Sequence, residues 1–269
     1  MRGTISTRIL LALGALALAW STGVPPASAA VDVGQVIESF IDKETEFAKA
    51  REMYTYRQKV KILEFASSGS VRGKFELTQD ILFGERGKRL ERVVFAPPST
   101  LQNLILTPND MEDLRSVQPF VMTRENAHEY RIDYLGEQQV DEIETYMFSV
   151  KPKSMVKGKR YFEGQIWVDQ LGLQIVKTYG KGVGILGKKN DEQFPRFETY
   201  RDQVDGHYWF PVYTRADDTL AFRSGPQKIR MIITYDNYKR FEGTSVITFG
   251  EVVFGDAVED ASPEGQDQP

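Results

Sequence analysis

The chain has 269 residues, with 34 Lys and Arg against 38 Asp and Glu, a net charge of −4 and no cysteine. The missing cysteine excludes a disulfide scaffold, a thiolate metal site and a lipoprotein acylated at a cysteine. The near balance of charge gives no electrostatic ground for nucleic-acid binding, while 16 Phe, 12 Tyr and 3 Trp suit a β-rich fold with a large apolar interior.

Arg2 and Arg8 precede an apolar run from Ile9 to Trp20, and Ala27-Ser28-Ala29 is a small-x-small site. This is the pattern of a secretory signal peptide over residues 1–29, cleaved near Ala29. The run is shorter than the roughly 20 residues that a membrane-spanning helix needs, which argues against a retained anchor. The remaining length suits one core, expected over residues 30–250. The last stretch, DAVEDASPEGQDQP, holds five acids and no base, so residues 251–269 read as a disordered acidic tail.

Val33 to Met53 carries Val33, Val36, Ile37, Phe40, Ile41, Glu44, Phe47, Ala48 and Arg51 at the i, i+3, i+4 spacing of an amphipathic helix, with Asp32 as N-cap. Glu38, Asp42, Glu44 and Glu46 make its polar face acidic. It is therefore expected to pack on a sheet and not on a membrane surface, which would want basic residues. A meander follows. Tyr54, Tyr56, Val60 and Ile62 alternate with polar residues, Ser67 to Ser70 turn the chain, and Val71, Phe75, Leu77, Ile81 and Phe83 alternate again towards a third strand ending at Phe95. Strands of about a dozen residues joined by short hairpins favour one curved antiparallel sheet.

Pro97-Pro98 interrupts the meander. Thr107, Pro108 and Asp110 then start a short helix whose apolar side is Met111, Leu114 and Val117. An apolar helical insertion must cover something, and on a curved sheet it would cover the open mouth or the concave face. Strands resume at Glu129 to Gly136 and at Thr145 to Pro152. They continue in RYFEGQIWVDQLGLQIVKTYG (160–180), which reads as a hairpin. Phe162, Ile166 and Val168 face one way and Trp167 the other; after the turn, Leu173, Ile175 and Tyr179 share a face. Arg196 to Val204, an Asp205-Gly206 turn, His207 to Thr214, a short run at Leu220 to Phe222 and Gln227 to Phe241 complete about eleven strands.

Catalytic chemistry is not evident. His128 and His207 have no metal-ligand spacing, and Asp217-Asp218 are neighbours that face opposite ways on a strand. Gly180, Gly182, Gly184 and Gly187 lack the Gly-Lys-Ser/Thr and the βαβ setting of a phosphate loop, and read as a flexible loop with Lys181, Lys188 and Lys189. Neither an enzyme, a metal site nor a cofactor is expected. The positive signal is a hollow: long alternating strands under a helical cover can enclose apolar space. Its candidate lining is Tyr56, Val60, Phe75, Leu77, Ile81, Phe83, Leu104, Met111, Leu114, Ile166, Val168 and Ile175.

The segments YTYRQ (54–58), DILFGERGKRLERVVFAPPSTL (80–101), DYLGEQQVDEIETYMFSVKPK (133–153), RYFEGQIWVD (160–169) and FPRFETYRDQVDGHYWFPVYTRADDTLAF (194–222) resemble bacterial exported proteins of the LolA-like superfamily, related to the outer-membrane lipoprotein-sorting carriers. The resemblance implies an α+β, mainly β fold: a half-open antiparallel β-barrel of about eleven strands with an N-terminal helix and a helical lid insertion. It also implies a periplasmic, monomeric carrier or binder of lipids or lipoprotein acyl chains that meets membrane-associated donor and acceptor proteins. The alternative is an envelope sensor or protein-interaction module on the same fold. An integral outer-membrane barrel is disfavoured, because Lys59, Lys61, Arg72 and Lys74 face outward, at about 2–4 kcal/mol each in mid-bilayer. The carriers' arginine-to-lid contact has no clear counterpart in the sequence.

Overall fold

The computed structural model describes residues 31–84, 87–184, 194–222 and 224–241. The expected signal peptide, the acidic tail, Gly187, Lys188 and Lys189 lie outside the described residues. Period-2 alternation becomes ten strands among the described residues: β1 (Tyr54–Phe65), β2 (Val71–Phe83), β3 (Arg89–Phe95), β4 (Tyr130–Val140), β5 (Ile143–Pro152), β6 (Tyr161–Asp169), β7 (Ile175–Val183), β8 (Phe197–Gln203), β9 (Trp209–Phe222) and β10 (Gly225–Arg240). They form one antiparallel sheet in the order β3-β2-β1-β10-β9-β8-β7-β6-β5-β4. β10 pairs with β1 along nearly its whole length, while β3 and β4 stay unpaired on their outer sides. The result is a half-open barrel.

Two readings change in detail. The run Leu220–Phe222 is the end of β9, because Thr214, Ala216 and Leu220 keep one phase across Asp217 and Asp218. The strand count is therefore ten. Gly180 and Gly182 are not in a loop but on β7, opposite Gly164 and Phe162. A Cβ at Gly180 would stand 2.7 Å from the Phe162 ring, so the glycine makes room for that ring.

Burial follows the register. On β1, Tyr56, Gln58, Val60, Ile62 and Glu64 face the concave side; on β10, Ile229, Met231, Ile233 and Tyr235 do so. Phe162, Ile166 and Val168 join the same apolar cluster. Trp167 belongs to the outer face: its indole N–H donates to Gln138 Oε1 (2.9 Å) and Lys177 Nζ covers its ring at 5.1 Å. The register slips between Trp167 and Val168, where Val176 is the extra residue. This bulge turns Ile175 inward but leaves Tyr179 outside, 41% exposed, so the two do not share a face.

Three helices lie against this sheet or between its strands. α1 (Val33–Arg51) buries Phe40, Ile41, Glu44 and Phe47. α2 (Pro108–Glu112) starts at Thr107, whose hydroxyl accepts the Asp110 N–H while the Asp110 carboxylate accepts the Thr107 N–H, as the spacing predicts. It runs on into a π-helical turn at Asp113–Val117. α3 (Arg124–Ala127), a single turn begun by Thr123, is too short to leave a periodic signal. The register also sorts the connections into two rims. The β1–β2, β5–β6, β7–β8 and β9–β10 connections share one, the upper rim; the β2–β3, β4–β5, β6–β7 and β8–β9 turns share the lower.

Candidate functional site

The concave face is closed by α1 and by the insertion that runs from Leu104 to Met122. α1 fills the lower part, where Phe47 packs on Phe210 and Tyr54. The insertion covers the middle and upper parts, burying Leu114, Val117, Phe120 and Met122. All twelve residues named as lining enter this one apolar cluster. Tyr56, Val60, Leu77, Ile81, Leu114, Ile166, Val168 and Ile175 are buried in it, and Phe75, Phe83, Leu104 and Met111 pack against it partly buried.

The apolar wall is crossed by a polar stripe that meets the backbone of the insertion. Gln58 Nε2 donates to the Leu114 carbonyl (3.3 Å) and Thr199 Oγ1 to the Gln118 carbonyl (3.0 Å). Arg201 donates to the Phe120 carbonyl and, through both its terminal nitrogens, to Glu44 on α1. The stripe continues sideways from Gln58 to Gln79 (2.9 Å) and from Thr199 to Thr214 (2.8 Å). These carbonyls lie in the π-helical turn (Leu114) or just after it (Gln118, Phe120), where side chains of the sheet satisfy them.

Two buried ion pairs fix the helices. Arg201 and Glu44 have side chains 1% and 0% exposed. Arg160, at the start of β6, holds Asp113 of the π-turn in a fork at 2.8 and 2.6 Å, with its guanidinium carbon 3.7 Å from the Phe194 ring centre. Burial pushes the Asp113 carboxyl above its ordinary pKa, and Arg160 offsets that only in part. None of these four residues stood out in the sequence. The signal was a phase rule: Glu44 falls on the apolar stripe of α1 although it reads as part of the acidic face, and Arg201 alternates with buried Phe197 and Thr199.

A cleft of about 40 Å³ remains beneath the insertion near the upper rim, lined by Ile62, Leu104, Leu106, Leu114, Phe194, Leu220, Ile229 and Met231 among others. Of the twelve named residues, Leu104 and Leu114 line it. Its β10 wall, Ile229 and Met231, follows that strand's alternation but was not singled out. An open groove of about 450 Å³ lies at the same rim, lined by Phe120, Tyr130 and Phe162 together with Glu125, His128, Glu129, Lys159 and Arg160. His128 and His207 are exposed and sit at opposite rims. Among the described residues no group of three or more His, Cys, Asp or Glu could hold a metal ion.

A half-open antiparallel barrel with helices over its concave face is the class this architecture defines. Comparison with protein-family models and with curated sequences gives no match. Solved structures similar to the chain include a DUF1329 family protein from Desulfovibrio piger, 13% identical over 78% of this chain and 95% of that one, with a TM-score of 0.38. A LolA superfamily protein from Nitrosomonas europaea is 13% identical over 76% and 93%, with a TM-score of 0.35. An outer membrane lipoprotein-sorting protein domain from Vibrio parahaemolyticus is 10% identical over 76% and 93%, with a TM-score of 0.36.

Proposed function

We propose that this protein is a non-enzymatic periplasmic carrier of lipids or lipoprotein acyl chains, a monomer that serves outer-membrane lipoprotein sorting. It would load at one membrane-associated partner and unload at another. The observation that carries the reading is the construction of the insertion: an apolar underside on an apolar wall, held by hydrogen bonds from a polar stripe. At ~0.8 kcal/mol per methylene, a sixteen-carbon chain costs on the order of 10 kcal/mol to keep in water, so a carrier must supply a large apolar surface and still let go. The cleft of about 40 Å³ is far below the roughly 300–1,000 Å³ of small-molecule sites. Loading therefore requires the insertion to lift, and the acyl chain then takes the place of Leu104, Leu114 and Val117 on the wall.

Delipidated protein should bind a fluorescent fatty acid at one or a few per chain, and native mass spectrometry of protein from its own periplasm should find extractable lipid. No uptake together with no co-purifying lipid would overturn the reading. A single stable protein partner in place of lipid would favour the envelope-sensor alternative.

A further inference from the structure

Between Glu144 and Glu163 the chain has no acid, yet it carries Lys151, Lys153, Lys157, Lys159 and Arg160. These residues surround the β5–β6 connection at the upper rim. At its tip, Met155 is 40% and Val156 60% exposed. The tip is ordered by its own turn: the Lys159 N–H donates to the Val156 carbonyl (3.1 Å), and Gly158 takes a φ of +81°. Its base is tied down by Lys159 to Glu129 and by Lys153 to the His128 carbonyl. Lys151 and Lys157 are exposed and have no ion-pair partner among the described residues. The lower rim also exposes apolar residues, Leu171 at 96% and Val204 at 39%, but there they stand among Asp141, Glu142, Glu144, Asp202 and Asp205.

We propose that the β5–β6 loop docks the protein on an anionic lipid surface. Met155 and Val156 enter the headgroup layer while Lys151 and Lys157, which have no carboxylate partner among the described residues, lie over the lipid phosphates. A basic rim around an apolar tip is complementary to such a surface on both counts. The apolar pair projects from the rim and sits in no groove, which fits a deformable headgroup layer better than a protein face with a fixed complement. The acids around Leu171 would be repelled by such a surface, which disfavours that tip as a second docking point. The cleft and the groove beneath the insertion lie at the docking rim.

The test is flotation of the processed protein, as isolated from its cells, with vesicles of phosphatidylethanolamine containing about a quarter phosphatidylglycerol, a composition that sets a negative surface potential. The protein should float with these vesicles, less so as salt is raised, and not with phosphatidylcholine alone. Each lysine near an anionic surface is worth about fivefold in partition, so Lys151→Glu with Lys157→Glu should lower binding by about 25-fold or more. Met155→Ser with Val156→Ser should lower it about tenfold, and Leu171→Ser at the other rim should change nothing. All five side chains are exposed, so an unchanged thermal midpoint will show that each variant folds. Absent flotation, equal flotation of the loop variants, or capture of an acidic protein without vesicle binding would each overturn the proposal. Fatty-acid uptake is measured without vesicles, so failure of the cargo reading and failure of this one are separate results.

Discussion

Arg160 and Asp113 show what one residue pair does for the insertion. Their side chains are 3% and 7% exposed, and Gly182 leaves the space they occupy: a Cβ there would stand 2.4 Å from both the Arg160 Nη2 and the Asp113 Oδ2. Both charges gave up water to form this fork. Removing one partner strands the other, so Asp113→Asn or Arg160→Met alone should cost about 3–5 kcal/mol of stability by urea denaturation. Replacing both with Asp113→Leu and Arg160→Met should come close to neutral, because the desolvation cost disappears with the attraction. If the double replacement costs as much as the singles, the pair is not acting as a unit. The Asp113 carboxyl titrates above its ordinary value.

At the scale of elements, the β8–β9 hairpin was legible because Asp205-Gly206 is turn chemistry, and Gly206 takes the φ of +79° that the turn needs. What the sequence did not show is where the aspartate points. Its carboxylate accepts the N–H groups of His207 (3.0 Å) and Tyr208 (3.1 Å) and the hydroxyl of Tyr54. Burial pushes that carboxyl up, but these donors outweigh it and hold it below the usual range. Tyr54 is pushed up to about 12, by burial first and by Asp205 second. A depressed carboxylate stabilises the fold above about pH 4, and the contribution is lost as pH falls through the native value. Asp205→Asn should therefore flatten the acid limb of the stability curve below about pH 4, and Tyr54 should titrate below about 12 by ultraviolet absorbance. An unchanged acid limb would mean the hairpin does not depend on this carboxylate.

The same contrast holds for the other elements. Alternation carried β1, β6 and β2 from Phe75 onward into the structure with the expected faces, since one buried face fixes register. Single-residue events escaped. A bulge at Val176 reverses phase without changing composition, and two glycines on β7 serve packing although they resemble a loop. Arg201 and Glu44 find each other across 157 residues, a distance over which local pattern carries nothing.

For the molecule as a whole, the open question is whether the insertion moves, and the absence of cysteine makes it easy to ask. A Cβ built on Gly182 would lie 3.0 Å from Asp113 Cγ, the place a cysteine sulfur would take. That is the reach of a disulfide with a bond of about 2.04 Å. Asp113→Cys with Gly182→Cys, combined with Arg160→Met to remove the stranded charge, should thus tie the π-helical turn to β7 when oxidised. If the acyl chain replaces the insertion on the wall, the oxidised form takes up no fluorescent fatty acid and dithiothreitol restores uptake in the same sample. The wild type should be indifferent to the reductant. Equal uptake by the oxidised and reduced forms would place the cargo elsewhere, because a tethered π-turn keeps Leu114 and Val117 in the core. The flotation experiment would then show whether the upper rim takes lipid as a surface and not as a single chain.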